Sequence, residues 1–117
     1  MFNFKIKIKM NQKKLKLNIK ERVILSDILP QQGNKLQQII VRSLTHKAEF
    51  KSEEIDEFGL TFSHQGVAWN EKAKSAEFEF ELSDAEISIL KESAVSIDKE
   101  ARVTQHNLSL LEKIESL

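Results

Sequence analysis

Cysteine and tyrosine are absent from this 117-residue sequence, which also has only one proline, one tryptophan and three glycines. Without cysteine there is no disulfide scaffold, no thiol nucleophile and no thiolate metal site. So few prolines and glycines argue against an interdomain linker, and the length fits one domain with a modest core. No apolar run exceeds three residues, so the sequence predicts neither a transmembrane helix nor the apolar part of a signal peptide.

Charge is balanced overall but strongly divided along the chain. Eighteen basic and eighteen acidic residues give a net charge of zero. Residues 1–22 nevertheless carry seven lysines, Arg22 and a single acid, Glu21, a net charge of +7, and the remainder carries −7. A basic segment on an acidic body is typical of a tail for nucleic acid or anionic lipid, or of a segment that folds back onto the body.

Two segments alternate strictly between apolar and charged residues, which favours the second interpretation. The charged residues are lysines in residues 4–10 (Phe-Lys-Ile-Lys-Ile-Lys-Met) and glutamates in residues 76–82 (Ala-Glu-Phe-Glu-Phe-Glu-Leu). Because successive side chains of a strand point to opposite faces, each segment is predicted to be a strand with one buried and one charged face. We expect the charged rows to meet across one sheet. They comprise Lys5, Lys7 and Lys9, and Glu77, Glu79 and Glu81.

Further strands are indicated by alternation and turn residues. Residues 15–19 alternate again after a turn at 11–13, so the first twenty residues are predicted to form a hairpin. Short strands at 60–62 and 67–69, followed by a polar turn and the glutamate strand, predict a three-stranded antiparallel meander.

Helical spacing and capping residues predict the remaining elements. A short helix over residues 20–29 ends before Pro30, and Asn34 caps a second helix. Ser52 is expected to cap a third helix that Gly59 closes. Ser83 and Glu86 form a capping box before the longest helix, Thr104 is expected to cap a last one, and no internal repeat is apparent.

The predicted fold class is therefore α+β, with an antiparallel sheet packed against four to five helices. The sheet combines the N-terminal strands and the three-stranded meander. A single domain spans residues 1–117, with basic strands at 1–20, helices at 21–58, the meander at 60–82 and helices at 84–116.

The lysine row and one aromatic residue are the candidate binding residues. They are Lys5, Lys7, Lys9, Lys14, Lys16 and Trp69. The lysines suit an acidic partner or nucleic acid, but lysines also protect edge strands and pair across strands with glutamates, and those structural roles are favoured. Trp69 is predicted to anchor the core, with a contact to a protein partner as the alternative.

Nothing in the sequence predicts an enzyme, a cofactor or a metal site. The three histidines, His46, His64 and His106, lack the spacing of a zinc site, and no phosphate loop or nucleophile elbow is present. Glu77 and Glu79 have the spacing of a glycosidase carboxylate pair, so a small hydrolase is a distant third hypothesis that requires a cleft around them.

Residues 21–33, Glu-Arg-x-x-Leu-x-x-Ile-Leu-Pro-x-x-Gly, resemble the opening of a family of small uncharacterised proteins from tailed phages and prophages. Trp69-Asn70, the glutamate strand and residues 108–113 also resemble its C-terminal half, so the resemblance covers about residues 15–115. It implies a phage or mobile-element origin and no established activity. The first nine residues depart from the pattern, which makes Met10 an alternative start.

The sequence thus favours a non-enzymatic protein-interaction or structural module. Its partner is expected to be a protein or a second copy, with no membrane span and no small-molecule substrate. The expected location is the cytoplasm of a host cell or a virion. The alternative function is a nucleic-acid-binding accessory protein that uses the lysine row.

Overall fold

The computed structural model describes residues 13–117. Their order is β1 Lys13–Asn18, α1 Ile19–Ile28, α2 Lys35–Ala48, α3 Ser52–Phe58, β2 Thr61–Ser63, β3 Gly66–Ala68, a 3₁₀ helix Glu71–Ser75, β4 Glu77–Leu82, α4 Asp84–Lys99 and α5 Leu108–Glu115. The α+β class is confirmed by these helices and two small antiparallel sheets. The predicted strand at residues 4–10 lies outside the described residues.

The main sheet pairs β1 with β4, so a lysine strand does meet the glutamate strand. In the antiparallel register Lys14 lies opposite Glu81 and Lys16 opposite Glu79. The alternate side chains Leu15 and Leu17 are buried under the helices. Lys14 and Lys16 of the neighbouring strand thus lie opposite glutamates of β4, whereas the expected pairing with Lys5, Lys7 and Lys9 falls outside the described residues and stays a prediction.

The predicted three-stranded meander is wrong. Strands β2 and β3 form a separate hairpin, and β4 pairs with β1 instead of β3. The 3₁₀ helix between β3 and β4 redirects the chain. The Asn70 side chain accepts a hydrogen bond from the Ala73 N–H, and the Asn70 backbone N–H donates to the Phe58 carbonyl at the end of α3. Ala73 is then buried, so β4 leaves in a new direction.

Several helix ends are as predicted. Asn34 caps α2 and Ser83 caps α4, each in a reciprocal capping box. Gly59 closes α3 at a φ of 58°, a left-handed conformation that glycine adopts without cost. The first helix ends at Ile28, shortly before Pro30.

Two predicted caps are wrong. Helix α3 begins one residue early, because the Glu54 carboxylate reaches back to the Lys51 N–H at 2.9 Å and takes the place of a Ser52 cap. Helix α5 begins at Leu108, because Thr104 accepts from the Asn107 N–H at 3.2 Å and caps a preceding turn instead.

Two clusters of buried residues make the core. The larger joins β1, Leu82 of β4 and helices α1, α2, α4 and α5. The smaller surrounds Phe58 and Leu60 and includes half-buried Trp69. None of the helices in residues 13–117 has the length and apolar character needed to cross a membrane.

The segments β1–α1–α2 and β4–α4–α5 repeat one arrangement. Aligning them gives Leu-Asn/Ser-x-x-Glu-x-x-Ile-Leu at residues 17–25 and 82–90, and Ser-Leu-x-x-Lys at residues 43–47 and 109–113. Leu15 aligns with Phe80, and these two residues are also partners in the sheet. That coincidence is what a local two-fold axis between them produces, so the expectation of no internal repeat is wrong.

Candidate functional site: the outer edge of β4

The second edge of β4 carries no strand from residues 13–117. Two lysine contacts show which peptide groups face the outer edges. Lys47 Nζ donates to the Glu81 carbonyl at 2.8 Å, and Lys113 Nζ donates to the Lys16 carbonyl of β1 at 3.0 Å. Because the N–H and C=O of one residue point the same way in an antiparallel strand, Glu79 also presents its peptide group to the outer edge of β4.

A groove of about 1120 Å³ runs along this edge, between β4 and the link from α2 to α3. One wall is β4 together with Ser83, the residue that follows it. The other wall comprises His46, Lys47 and residues 49–52. The aromatic residues Phe50, Phe78 and Phe80 line it, all partly buried.

Arg22 of α1 connects the two walls. Its side chain is only 3% exposed, and its guanidinium makes bidentate contacts with Glu54 at 2.8 and 3.2 Å. Further N–H groups donate to the carbonyls of Ala48 at 3.3 Å and Glu49 at 2.7 Å. The planar fork of arginine suits such multiple donation, so Arg22 fixes the link between α2 and α3.

Aromatic rings surround the same guanidinium. Its carbon lies 4.1 Å from the ring centroid of Phe50, 4.5 Å from Phe78 and 5.3 Å from Phe80. Cation–π attraction is strongest where water is excluded, as it is here. Arg22 thus holds the aromatic side chains of β4 against the opposite wall and gives the groove a rigid floor.

Glu54 is the charged partner of Arg22 and stays ionised at neutral pH. The hydrogen bond from Arg22 lowers the pKa of the Glu54 carboxyl below its usual 4.5, and this effect outweighs the opposing effect of burial. The Lys51 N–H adds to the lowering. The guanidinium is therefore neutralised within the fold.

Two further buried carboxylates occupy equivalent places in the repeat. Glu21 accepts from Ser109 at 2.8 Å and Lys113 at 2.7 Å. Glu86 accepts from Ser43 at 2.7 Å and Lys47 at 2.7 Å. In each case the second helix of one half supplies the donors to the first helix of the other.

The pKa values of both carboxyls are lowered. Burial alone raises the pKa of Glu21, but hydrogen bonds from Lys113, the Asn18 N–H and Ser109 outweigh it. Burial likewise raises the pKa of Glu86, and Lys47, the Ser83 N–H and Ser43 outweigh it. These carboxylates are saturated with donors, so their role is to join the two halves.

The described residues contain no evident catalytic or metal centre. No group of three His, Asp or Glu side chains with metal-binding geometry occurs in residues 13–117. Every buried side-chain N or O atom there has a hydrogen-bond partner. Glu77 and Glu79, the hypothetical hydrolase pair, do border the groove, but both are exposed to solvent.

The structure separates the residues that the sequence singled out. Lys14 and Lys16 lie on the exposed face of β1, and Lys14 Nζ is 3.4 Å from Glu79. Trp69 packs on the smaller core cluster and does not line the groove.

His46 borders the groove and contacts Glu49 at 3.6 Å, whereas His64 and His106 are exposed elsewhere. Lys5, Lys7 and Lys9 lie outside the described residues.

Sequence reasoning missed the centre of the site, Arg22 with its three phenylalanines. One signal was available, because Arg22 interrupts the apolar side of a short helix. Phe78 and Phe80 were assigned to a buried face, which is correct. Their contact with Arg22 depends on the pairing of β4 with β1, which the meander prediction did not contain.

Comparison with protein-family models, with curated proteins and with solved structures finds no match to this chain. The resemblance to a phage family therefore stays a prediction.

Proposed function

We propose that this chain is a protein-interaction module without enzymatic activity, and that it binds an extended segment of a partner along the outer edge of β4. The main observation in support is that the outer edge of β4 faces a groove lined by aromatic side chains. An added strand gains main-chain hydrogen bonds from such an edge, and its alternate side chains contact the groove.

The size and rigidity of the site support this function. Five residues from Glu77 to Glu81 span about 14–17 Å at the usual rise per residue, enough for a short peptide strand. Arg22 holds both walls in place before any partner arrives, which lowers the ordering cost of binding. Glu21 and Glu86, whose hydrogen bonds join the two halves, do not line the groove.

A nucleic-acid partner is less well supported by the described lysines. Lys14 is paired with Glu79, and Lys16 lies opposite the same residue in the register. Adjacent carboxylates repel phosphate, so these two lysines make a poor polyanion surface. A phage origin, and a location in a host cytoplasm or a virion, accompany the proposal as predictions from the sequence.

The test is selection of binding peptides from a random display library with the full chain, followed by amide hydrogen exchange. We expect a selected peptide to protect the Glu77 and Glu79 amides. Glu79→Pro removes an outward N–H and should abolish binding, because proline cannot donate to an added strand.

Lys16→Pro is the matched control, since Lys16 is the partner of Glu79 on β1 and also faces outward. It disturbs the sheet equally but leaves the β4 edge intact, so binding should persist. Peptides that protect another surface, or that bind Glu79→Pro unchanged, would contradict the proposal. The hydrogen-exchange result stands even if a proline variant fails to fold.

A further inference from the structure

We infer that the partner segment at the β4 edge alternates basic with apolar residues. This inference rests on the proposed function and adds the chemistry of the partner. It follows from the two faces that β4 presents to an added strand, one acidic and one aromatic.

The solvent face of β4 is acidic. Glu77, Glu79 and Glu81 are all exposed on it, and their peptide groups face the outer edge. On the side of β1, Glu79 and Glu81 lie opposite Lys16 and Lys14, and Glu77 lies opposite Asn18. A strand added at the outer edge places its own side chains beside the same glutamates, where cations are stabilising and like charges are destabilising.

The opposite face of β4 is aromatic. Phe78 and Phe80 are partly buried there, and Phe50 faces them across the groove. Arg22 below them does not attract an anion, because its charge is already paired with Glu54 and its donors bind two backbone carbonyls. The partner's alternate side chains on this face are therefore apolar.

Period-two geometry combines these requirements into one pattern. Side chains of an added strand alternate between the faces, so three cations opposite three glutamates require apolar residues between them. The chain itself contains such a sequence, Phe-Lys-Ile-Lys-Ile-Lys-Met at residues 4–10. A blocked peptide of that sequence is therefore the natural probe.

The experiment measures binding of this lysine peptide to the full chain by fluorescence anisotropy, at low and high salt. Two matched peptides replace the lysines by glutamine or by glutamate. We expect the lysine peptide to bind about tenfold more tightly than the glutamine peptide, with the glutamate peptide weakest and the difference reduced by salt. Replacing Glu77, Glu79 and Glu81 by glutamine should remove most of the preference.

Exposed glutamates away from the groove provide the control. The triple variant Glu92→Gln, Glu112→Gln and Glu115→Gln changes the net charge equally and should keep the preference. The full chain with Lys5, Lys7 and Lys9 replaced by glutamine is measured beside the unmodified chain. Tighter binding of the lysine peptide to that variant would support the inference, with the chain's own lysine segment as the competing occupant.

Failure of the inference can be distinguished from failure of the proposed function. Equal binding of all three peptides, with protection of the Glu79 amide, would overturn the basic pattern and leave strand addition standing. Preference for the glutamate peptide would do the same. Binding of the lysine peptide without protection at Glu77 and Glu79 would overturn both.

Discussion

At the scale of single residues, Arg22 determines the geometry of the candidate site. It is the point where helix α1, the link from α2 to α3 and the phenylalanines of β4 meet. Removing one member of a buried charged pair costs more than the net contribution of the pair, because the remaining groups lose their partner.

We therefore expect Arg22→Ala to lower the free energy of unfolding by about 3 kcal/mol. The measurement is urea denaturation followed by circular dichroism. Arg42→Ala is the control, because Arg42 is exposed on α2 and its loss should cost less than about 0.5 kcal/mol. An equal loss of unfolding free energy in the two variants would show that the buried Arg22 guanidinium does not stabilise the fold.

The three buried or half-buried glutamates predict acid sensitivity. Glu21, Glu54 and Glu86 all have a pKa below the usual 4.5 in the folded chain. A lowered folded pKa contributes stability that is fully present above pH 4.5 and is lost as pH falls through the folded pKa. The free energy of unfolding should thus be maintained near neutrality and fall on acidification below about pH 4.5.

Urea denaturation at pH 7 and pH 3.5 checks this expectation. Glu86→Gln should be less stable than the unmodified chain at pH 7 and should lose less stability between the two pH values. Glu115→Gln, an exposed control on α5, should keep the full loss. An identical loss in Glu86→Gln would exclude this carboxylate as a source of the acid sensitivity.

At the scale of elements, the repeated Ser-Leu-x-x-Lys motifs join the halves through equivalent contacts. Lys47 and Lys113 each bridge a capping-box glutamate and a strand carbonyl. Lys47→Met and Lys113→Met should each lower the free energy of unfolding by about 1–3 kcal/mol, because each variant leaves a buried carboxylate without its charged hydrogen-bond donor.

Thermal or urea denaturation of the two variants measures these costs, and Lys35→Met on the exposed start of α2 is the control. The contacts of Lys47 and those of Lys113 share no residue. The losses in the free energy of unfolding should therefore add in the double variant within about 0.5 kcal/mol. A large cost at only one lysine would contradict functional equivalence of the repeated elements.

Elements with local signals were predictable, and elements set by distant contacts were not. Asn34, Ser83 and Gly59 act through neighbours within a few residues, so their helix ends follow from the sequence. The partner of β4 depends on the 3₁₀ helix, whose effect comes from the tertiary contact of Asn70 with the end of α3. The repeat is likewise hidden, because the alignment retains only the few residues that cap, bridge or fill the core.

The candidate site was predictable only in part, for the same reason. Alternation correctly assigns the glutamates of β4 to a solvent face and its phenylalanines to the other. It does not reveal that Arg22, more than fifty residues earlier in the sequence, lies beneath those rings. That contact requires the tertiary arrangement of α1 and the sheet.

At the scale of the whole molecule, the divided charge predicts salt-dependent self-association. A net charge of +7 in residues 1–22 balances −7 in the remainder, and the β4 edge adds an exposed acidic row. Two copies therefore carry segments of opposite charge even though each copy is neutral, and ions screen such attraction over about 8 Å at physiological salt.

We expect the average mass measured by light scattering to rise with protein concentration at 50 mM salt and to approach that of a monomer at 500 mM. The full chain with Lys5, Lys7 and Lys9 replaced by glutamine should associate less at low salt, because the basic segment then loses three charges. The same three replacements at Lys35, Lys91 and Lys99 control for net charge alone. Association that is insensitive to salt would assign self-association to an apolar surface. Equal association of the two variants would exclude Lys5, Lys7 and Lys9 as its specific source.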